Sequence, residues 1–227
     1  MTDVLELVAF DIETTGFAVS DEVTVTGFAV PLGARVFCQA EMDAPDLQAD
    51  MDAAVDTHVN VSTHGSEAAV LDAMAAFAAE RIGDEETLLV AYNGETWHGG
   101  FDLPFIRTRL AKRNVQWPFA DVPYADLFPI MKKQFNTATA AGADGDTSVD
   151  LETAYATLCN GTYAEIDPFE DSADAVTAFE EGRFAELVLH NVADVLRTRA
   201  LGKLAQRYCG KSDFKLKSLT PVVTDQP

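Results

Sequence analysis

The sequence predicts a single α/β domain on three observations. A chain of 227 residues with 48% hydrophobic content can bury one sizeable core, and no second core is visible. Its first forty residues read as three consecutive strands joined by short turns. From Ser66 onward, apolar helical periodicity alternates with short continuous apolar runs, the pattern of strands sandwiched between helices. The expected architecture is a central mixed sheet of five strands, three antiparallel and then parallel ones, flanked by helices.

Leu5 to Gly16 (LELVAFDIETTG) is an apolar run that meets a Thr-Thr-Gly turn signal, so a strand ends there. Residues two apart in a strand share a face, which sets Asp11 beside Glu13 and turns Ile12 into the packing opposite. Two carboxylates a few ångströms apart repel, and a hard divalent ion such as Mg²⁺ is the economical partner. With 37 Asp and Glu in the chain, roughly six acidic-x-acidic triplets arise by composition alone. What distinguishes this one is its place on the tail of a buried strand.

Glu22 to Val30 alternates as a second strand, Pro31 to Ala34 supplies a turn, and Arg35 to Ala40 reads as a third strand. Glu41 to Gly65 is polar and aperiodic, and is expected to be loop, with His58 and His64 in ordinary surface roles. Ser66 is placed as the N-cap of a helix that Gly83 closes. Thr87 to Tyr92 is a buried strand stopped by Asn93-Gly94, and a helix follows from Phe101 or Asp102 to Arg113, with Pro104 tolerated in its first turn. Asp102 either caps that helix or leans over the sheet toward the first strand. Tyr124 to Phe128 reads as a short strand. Lys132 to Asp150, rich in Ala, Thr, Gly and Asp, is expected to be a mobile loop. Helices then run from Leu151 to Leu158, from Asp171 or Ser172 to Gly182, and from Phe184 to about Tyr208. His190 and Asp194 lie four apart on the last helix, hence on one face, as a surface pair or as part of a site.

The formal charge of −21 would ordinarily argue against a polyanionic partner. Its distribution modifies that inference. Arg197, Arg199, Lys203, Arg207, Lys211, Lys215 and Lys217 fall in one stretch with a single acid, Asp213, and Arg107, Arg109, Lys112 and Arg113 form a smaller cluster. The acid-rich, lysine-poor remainder resembles proteins of salt-loving archaea or their viruses, and at molar salt a Debye length of ~3 Å removes most of the repulsion. Cys38, Cys159 and Cys209 are isolated and odd in number, against a disulfide framework or a zinc site. With no basic leader and no apolar stretch of ~18 residues, neither secretion nor a membrane span is indicated, and a cytoplasmic location is expected.

Acids at the end of strand one, at a helix start after strand four and on a late helix resemble the ribonuclease H-like fold, and more narrowly the DEDD 3′ to 5′ exonuclease superfamily. The residues that carry the resemblance are FDIETTG with Asp11 and Glu13, YNGETWHGGFDLPFI with Asn93, Phe101 and Asp102, and HNVAD with His190 and Asp194. It spans about residues 5–208, with 211–227 left as a basic and then irregular tail. Two features set this chain apart from the family pattern: Gly94 to Gly100 lengthen the second motif, bringing Trp97 and His98 toward the site, and His190 stands at the spacing where tyrosine is usual, similar to stand-alone relatives of the family B DNA polymerase exonuclease domain.

The resemblance implies metal-dependent hydrolysis of single-stranded DNA or RNA from its 3′ end to nucleoside 5′-monophosphates, with two Mg²⁺ or Mn²⁺ ions. It implies Asp11, Glu13, Asp102 and Asp194 as metal ligands and His190 as the group that takes a proton from water. Asn93, Trp97 and Phe101 are implied to contact the terminal nucleotide, and the basic C-terminal stretch the phosphates. A ribonuclease H-like endonuclease and a non-catalytic nucleic-acid-binding module are the alternative readings.

Overall fold

In a computed structural model of the chain, the described residues are 5–40, 46–83, 86–95, 101–137, 150–159, 161, 163, 165–169, 171 and 173–222. They form an α/β fold around a seven-stranded mixed sheet. Its strands are β1 (Glu6–Thr14), β2 (Val23–Val30), β3 (Gly33–Gln39), β4 (Val59–His64), β5 (Thr87–Ala91), β6 (Pro123–Asp126) and β7 (Lys217–Ser218), and they lie in the order β4-β3-β2-β1-β5-β6-β7. β1, β2 and β3 form an antiparallel meander, β4 runs parallel to β3, β5 parallel to β1, β6 parallel to β5, and β7 antiparallel to β6.

The expected five strands are therefore seven. The two additions are edge strands, which need only one apolar face and carry little sequence signal. β4 (VNVSTH) lies in the segment read as loop, as does α1 (Leu47–Ala54), of which only Leu47 and Met51 are buried. His64 closes β4 and hydrogen-bonds Ser62 Oγ at 2.9 Å. The segment expected to be a mobile loop is shorter at both ends: Lys132 to Gln134 belong to α4 (Phe128–Gln134), and Asp150 caps α5 (Leu151–Leu158) by accepting from Thr153 N, while residues 138–149 lie outside the described ones. The other helices fall close to expectation: α2 (Glu67–Arg81) with Ser66 as N-cap, α3 (Asp102–Arg113), α6 (Asp174–Glu180) and α7 (Phe184–Tyr208).

Period-two alternation in β1 divides the core. Val8, Phe10 and Ile12 point into a cluster with Val70, Leu71 and Met74 of α2 and Leu103, Ile106 and Leu110 of α3. Leu7 and Ala9 point the other way, into a cluster with Leu187, Val188, Val192, Val195 and Leu201 of α7. Asp11 and Glu13 continue this second row, so the strand's own period aims both acids at α7. A register shift between Glu13 and Thr14 then breaks the pairing with β2 and ends the strand.

α7 crosses β1, β2 and β3 and is tied to the start of β1. Arg199 donates to Leu7 O at 2.8 Å and pairs with Glu6, and Gln206 donates to Leu5 O. On the other sheet face Glu67 is buried at the start of α2. It accepts from Val23 N at 3.0 Å and from Arg109 at 2.6 Å, and it pairs with Arg113. Lys112 Nζ and Arg109 donate to Val19 O in the loop after β1. Much of the smaller basic cluster is thus spent on internal contacts. The three cysteines are free, with Cys38 buried and the other two half-buried. Among the described residues no helix is long and apolar enough to cross a membrane.

Candidate metal centre

Three chain-distant elements bring four carboxylates to the C-terminal end of β1. Asp11 and Glu13 arrive by strand periodicity, Asp102 as the first residue of α3, and Asp194 from the middle of α7. Their mutual influence is direct. Burial pushes Asp11 well above the usual carboxylate range, and the charges of Asp102, Glu13 and Asp194 push it further. Burial raises Asp102 in the same way, assisted by Glu13, Asp126 and Asp194. Glu13 is raised by burial and by Asp194, against the pull of His190, to about 7. Asp194 is raised by burial, with His190 and Arg197 opposing. Without a cation the site holds more negative charge than its burial tolerates.

Close packing sets the positions. Gly27 lies opposite Asp11 on β2, and a Cβ there would collide with Asn191 Oδ1. The fit lets Asn191, fully buried on α7, donate from Nδ2 to Asp11 Oδ2 at 2.9 Å. Gly94 plays the matching part for Asp102: a Cβ there would stand 2.5 Å from Asp102 Oδ2, and the Gly94 carbonyl accepts from Leu103 N at 2.9 Å. The N-cap of α3 is Phe101, so Asp102 stands inside the first turn, with its buried carboxyl beside Gly94 and under the influence of Glu13, Asp126 and Asp194.

His190 is 5% exposed and reaches the same place from one turn before Asp194. Its Nε2 faces Glu13 Oε1 at 3.9 Å and Asp194 Oδ2 at 3.8 Å. Its Nδ1 lies 2.8 Å from Asp167 Oδ1, and because an ionised carboxylate only accepts, Nδ1 carries the proton of that bond. Burial alone would lower the imidazole, but the bond to Asp167 and the charges of Glu13 and Asp194 outweigh it and lift His190 to about 9. Burial raises Asp167 in turn, yet His190 and Arg197 hold it below the usual carboxylate range. Arg197, 2% exposed, bridges Asp167 at 2.8 Å and Asp194 Oδ1 at 3.0 Å. Ligand atoms of Asp167, His190 and Asp194 lie within 4.8 Å of one another, a spacing that could hold a metal ion. Beside them opens a cavity of about 390 Å³ lined by Asp150, Phe169 and these same side chains.

The other predicted contacts are distributed around this centre. Asn93 is exposed in the left-handed conformation at φ 60°, with its N–H donated to Asp126 Oδ1 at 2.9 Å, and it lines a second cavity of about 370 Å³ with Lys215 and Lys217. Phe101 precedes α3 and packs on Phe105 and on the exposed Phe17, with centroids 4.8 and 5.0 Å away. Trp97 lies outside the described residues. Of the basic stretch, Arg197 and Arg199 are buried in internal ion pairs and Lys217 pairs with Glu95, whereas Lys203, Lys211 and Lys215 form no ion pair among the described residues.

Sequence reasoning missed Asn191, Asp126 and Asp167, and it assigned Arg197 to the phosphates rather than to Asp167 and Asp194. Arg197 had a readable signal, since positions 190, 194 and 197 fall on one helical face. Asp167 had none, because its Ile-Asp-Pro-Phe segment has no regular period to assign it a side. No protein-family model matches this sequence, and no curated protein matches it.

Proposed function

We propose that this protein is a metal-dependent 3′ to 5′ exonuclease of the DEDD superfamily, with a ribonuclease H-like fold, that hydrolyses single-stranded DNA or RNA to nucleoside 5′-monophosphates. The observation that carries the reading is that Asp11, Glu13, Asp102 and Asp194, separated by up to 183 positions, are drawn together and strain against one another's charge. Strand order supports it as well: set aside the two edge strands, and the antiparallel meander β3-β2-β1 is followed by β5 and β6 running parallel to β1, in keeping with the three antiparallel and then parallel strands that the resemblance implies.

The donor set is oxygen-rich and anionic, as hard divalent ions require. In this reading Asp11, Glu13 and Asp194 hold one ion and Asp11 with Asp102 a second, and the pair, when bound, lowers the pKa of an attacking water and offsets charge on the phosphate. Asn191 keeps Asp11 aimed through its hydrogen bond. Arg197 engages one oxygen of Asp194 and leaves Oδ2 facing the centre. The exposed Phe17 and Phe101 behind it offer stacking surface to a terminal base, and Lys215 offers a cation to the backbone.

The test is digestion of 5′-labelled DNA and RNA oligonucleotides with Mn²⁺ in high salt. Progressive shortening from the 3′ end is expected, reduced at least about 100-fold in Asp11→Asn and Asp102→Asn. Cutting of a circular single strand would replace the exonuclease by an endonuclease, and shortening that persists in Asp11→Asn would overturn the site.

A further inference from the structure

The observation with most left to explain is the environment of His190. Its ring is buried, yet Nε2 has no hydrogen-bond partner among the described residues. One side of the ring is committed: Asp167 accepts the Nδ1 proton at 2.8 Å, and Arg197 holds Asp167 in place from the far side. Fixing Nδ1–H turns the lone pair of the neutral ring, on Nε2, toward Glu13 Oε1 and Asp194 Oδ2. Those two oxygens are acceptors too, so whenever the ring is neutral three electron-pair donors face one another, an arrangement that either a proton on Nε2 or a cation relieves.

We propose that His190 is a metal ligand, coordinating through Nε2 the ion that Glu13 and Asp194 hold, with Asp167 as the carboxylate that orients and polarises the imidazole. This inference rests on the two-ion reading for the position of that ion, and it replaces a proton acceptor by a nitrogen donor.

The geometry fits. For bonds of about 2.1 Å, adjacent donors around an ion are ~3.0 Å apart and opposite ones ~4.2 Å. The separations of 3.8 and 3.9 Å lie between the two, so a shift of about 0.8–0.9 Å brings Nε2 to an adjacent position. A metal-bound histidine almost always gives its other N–H to a carboxylate or carbonyl, and Asp167 occupies that place.

Nitrogen in the donor set has a chemical consequence. Mg²⁺ favours oxygen and gains little from imidazole, while Mn²⁺ and the later transition metals accept it. The site should therefore prefer Mn²⁺ to Mg²⁺.

Pulsed electron paramagnetic resonance of the full chain loaded with Mn²⁺ alone reads this directly, because a bound ¹⁴N modulates the electron spin echo and an oxygen donor does not. Nitrogen modulation is expected in the native chain and absent in His190→Gln, with Mn²⁺ affinity lowered at least about tenfold and about tenfold in Asp167→Asn. Should His190→Gln fail to fold, the combined variant His58→Gln, His64→Gln, His98→Gln, which leaves His190 as the sole histidine, must keep the modulation. Native protein that shows no bound nitrogen, or His190→Gln that retains it, overturns the inference while leaving strand shortening as a separate result. Bound nitrogen without any strand shortening would keep His190 as a ligand and sink the exonuclease reading.

Discussion

Gly27 shows how much of this site depends on one missing methyl group. Asn191 fills the space in front of it and so reaches Asp11, and an added Cβ must displace one of the two. Gly27→Ala is expected to destabilise the fold by about 1–3 kcal/mol in urea unfolding and to weaken Mn²⁺ binding in a titration of the folded variant. Ionisation at the site gives a second prediction. Glu13 has a folded pKa raised to about 7 and His190 one raised to about 9, so both favour the protonated form in the folded state. The Glu13 contribution, up to about 3 kcal/mol, is complete below its unfolded value and is lost as pH rises through 7; that of His190 is lost as pH rises through 9. In a metal chelator the melting temperature should therefore fall between about pH 5 and pH 9. Mn²⁺ at a hundred times its dissociation constant should restore about 2.7 kcal/mol at the alkaline end. A chelated protein as stable at pH 9 as at pH 5 would contradict the charge balance described above. The acid pair was legible because a strand's period is two, and His190 with Asp194 because a helix repeats every 3.6 residues. Asp167 was not, since an irregular segment has no period to project.

At the scale of elements, Glu67 is a fastening rather than a functional group. It joins the first turn of α2, the start of β2 and the last turns of α3, and through Arg109 the loop that carries Phe17. Its carboxyl lies below the usual range because hydrogen bonds from Arg109, Val23 and Arg113 outweigh the effect of burial. Removing one partner of such a pair strands the others, so Glu67→Gln should cost about 3–5 kcal/mol in urea unfolding. Helices were read well from the chain because each buries an apolar stripe, as Val70, Leu71, Met74 and Ala78 do in α2. β4 and β7 escaped because an edge strand answers to one neighbour only: β4 buries Val59 fully and exposes Asn60 and Thr63, a pattern that polar loops share. The basic residues were legible in sequence but not in use, since nothing in a run of Arg and Lys says that Arg197, Arg199 and Arg109 turn inward.

For the whole molecule, 37 acidic against 16 basic residues create a self-repulsion that salt relieves. Raising KCl from about 0.1 M to about 3 M should raise the melting temperature by roughly 5 °C or more, measured by circular dichroism. A flat or falling curve would remove the case for a salt-adapted surface. The grip of Arg199 and Gln206 on Glu6, Leu7 and Leu5 has a kinetic meaning as well. β1 is made well before α7, and the contacts between them close a loop of some 190 residues, which is slow to form. The centre of the sheet must therefore wait, half its face uncovered, until α7 has been made. Ion binding then reports the final docking step of folding, and it should slow unfolding far more than it speeds refolding.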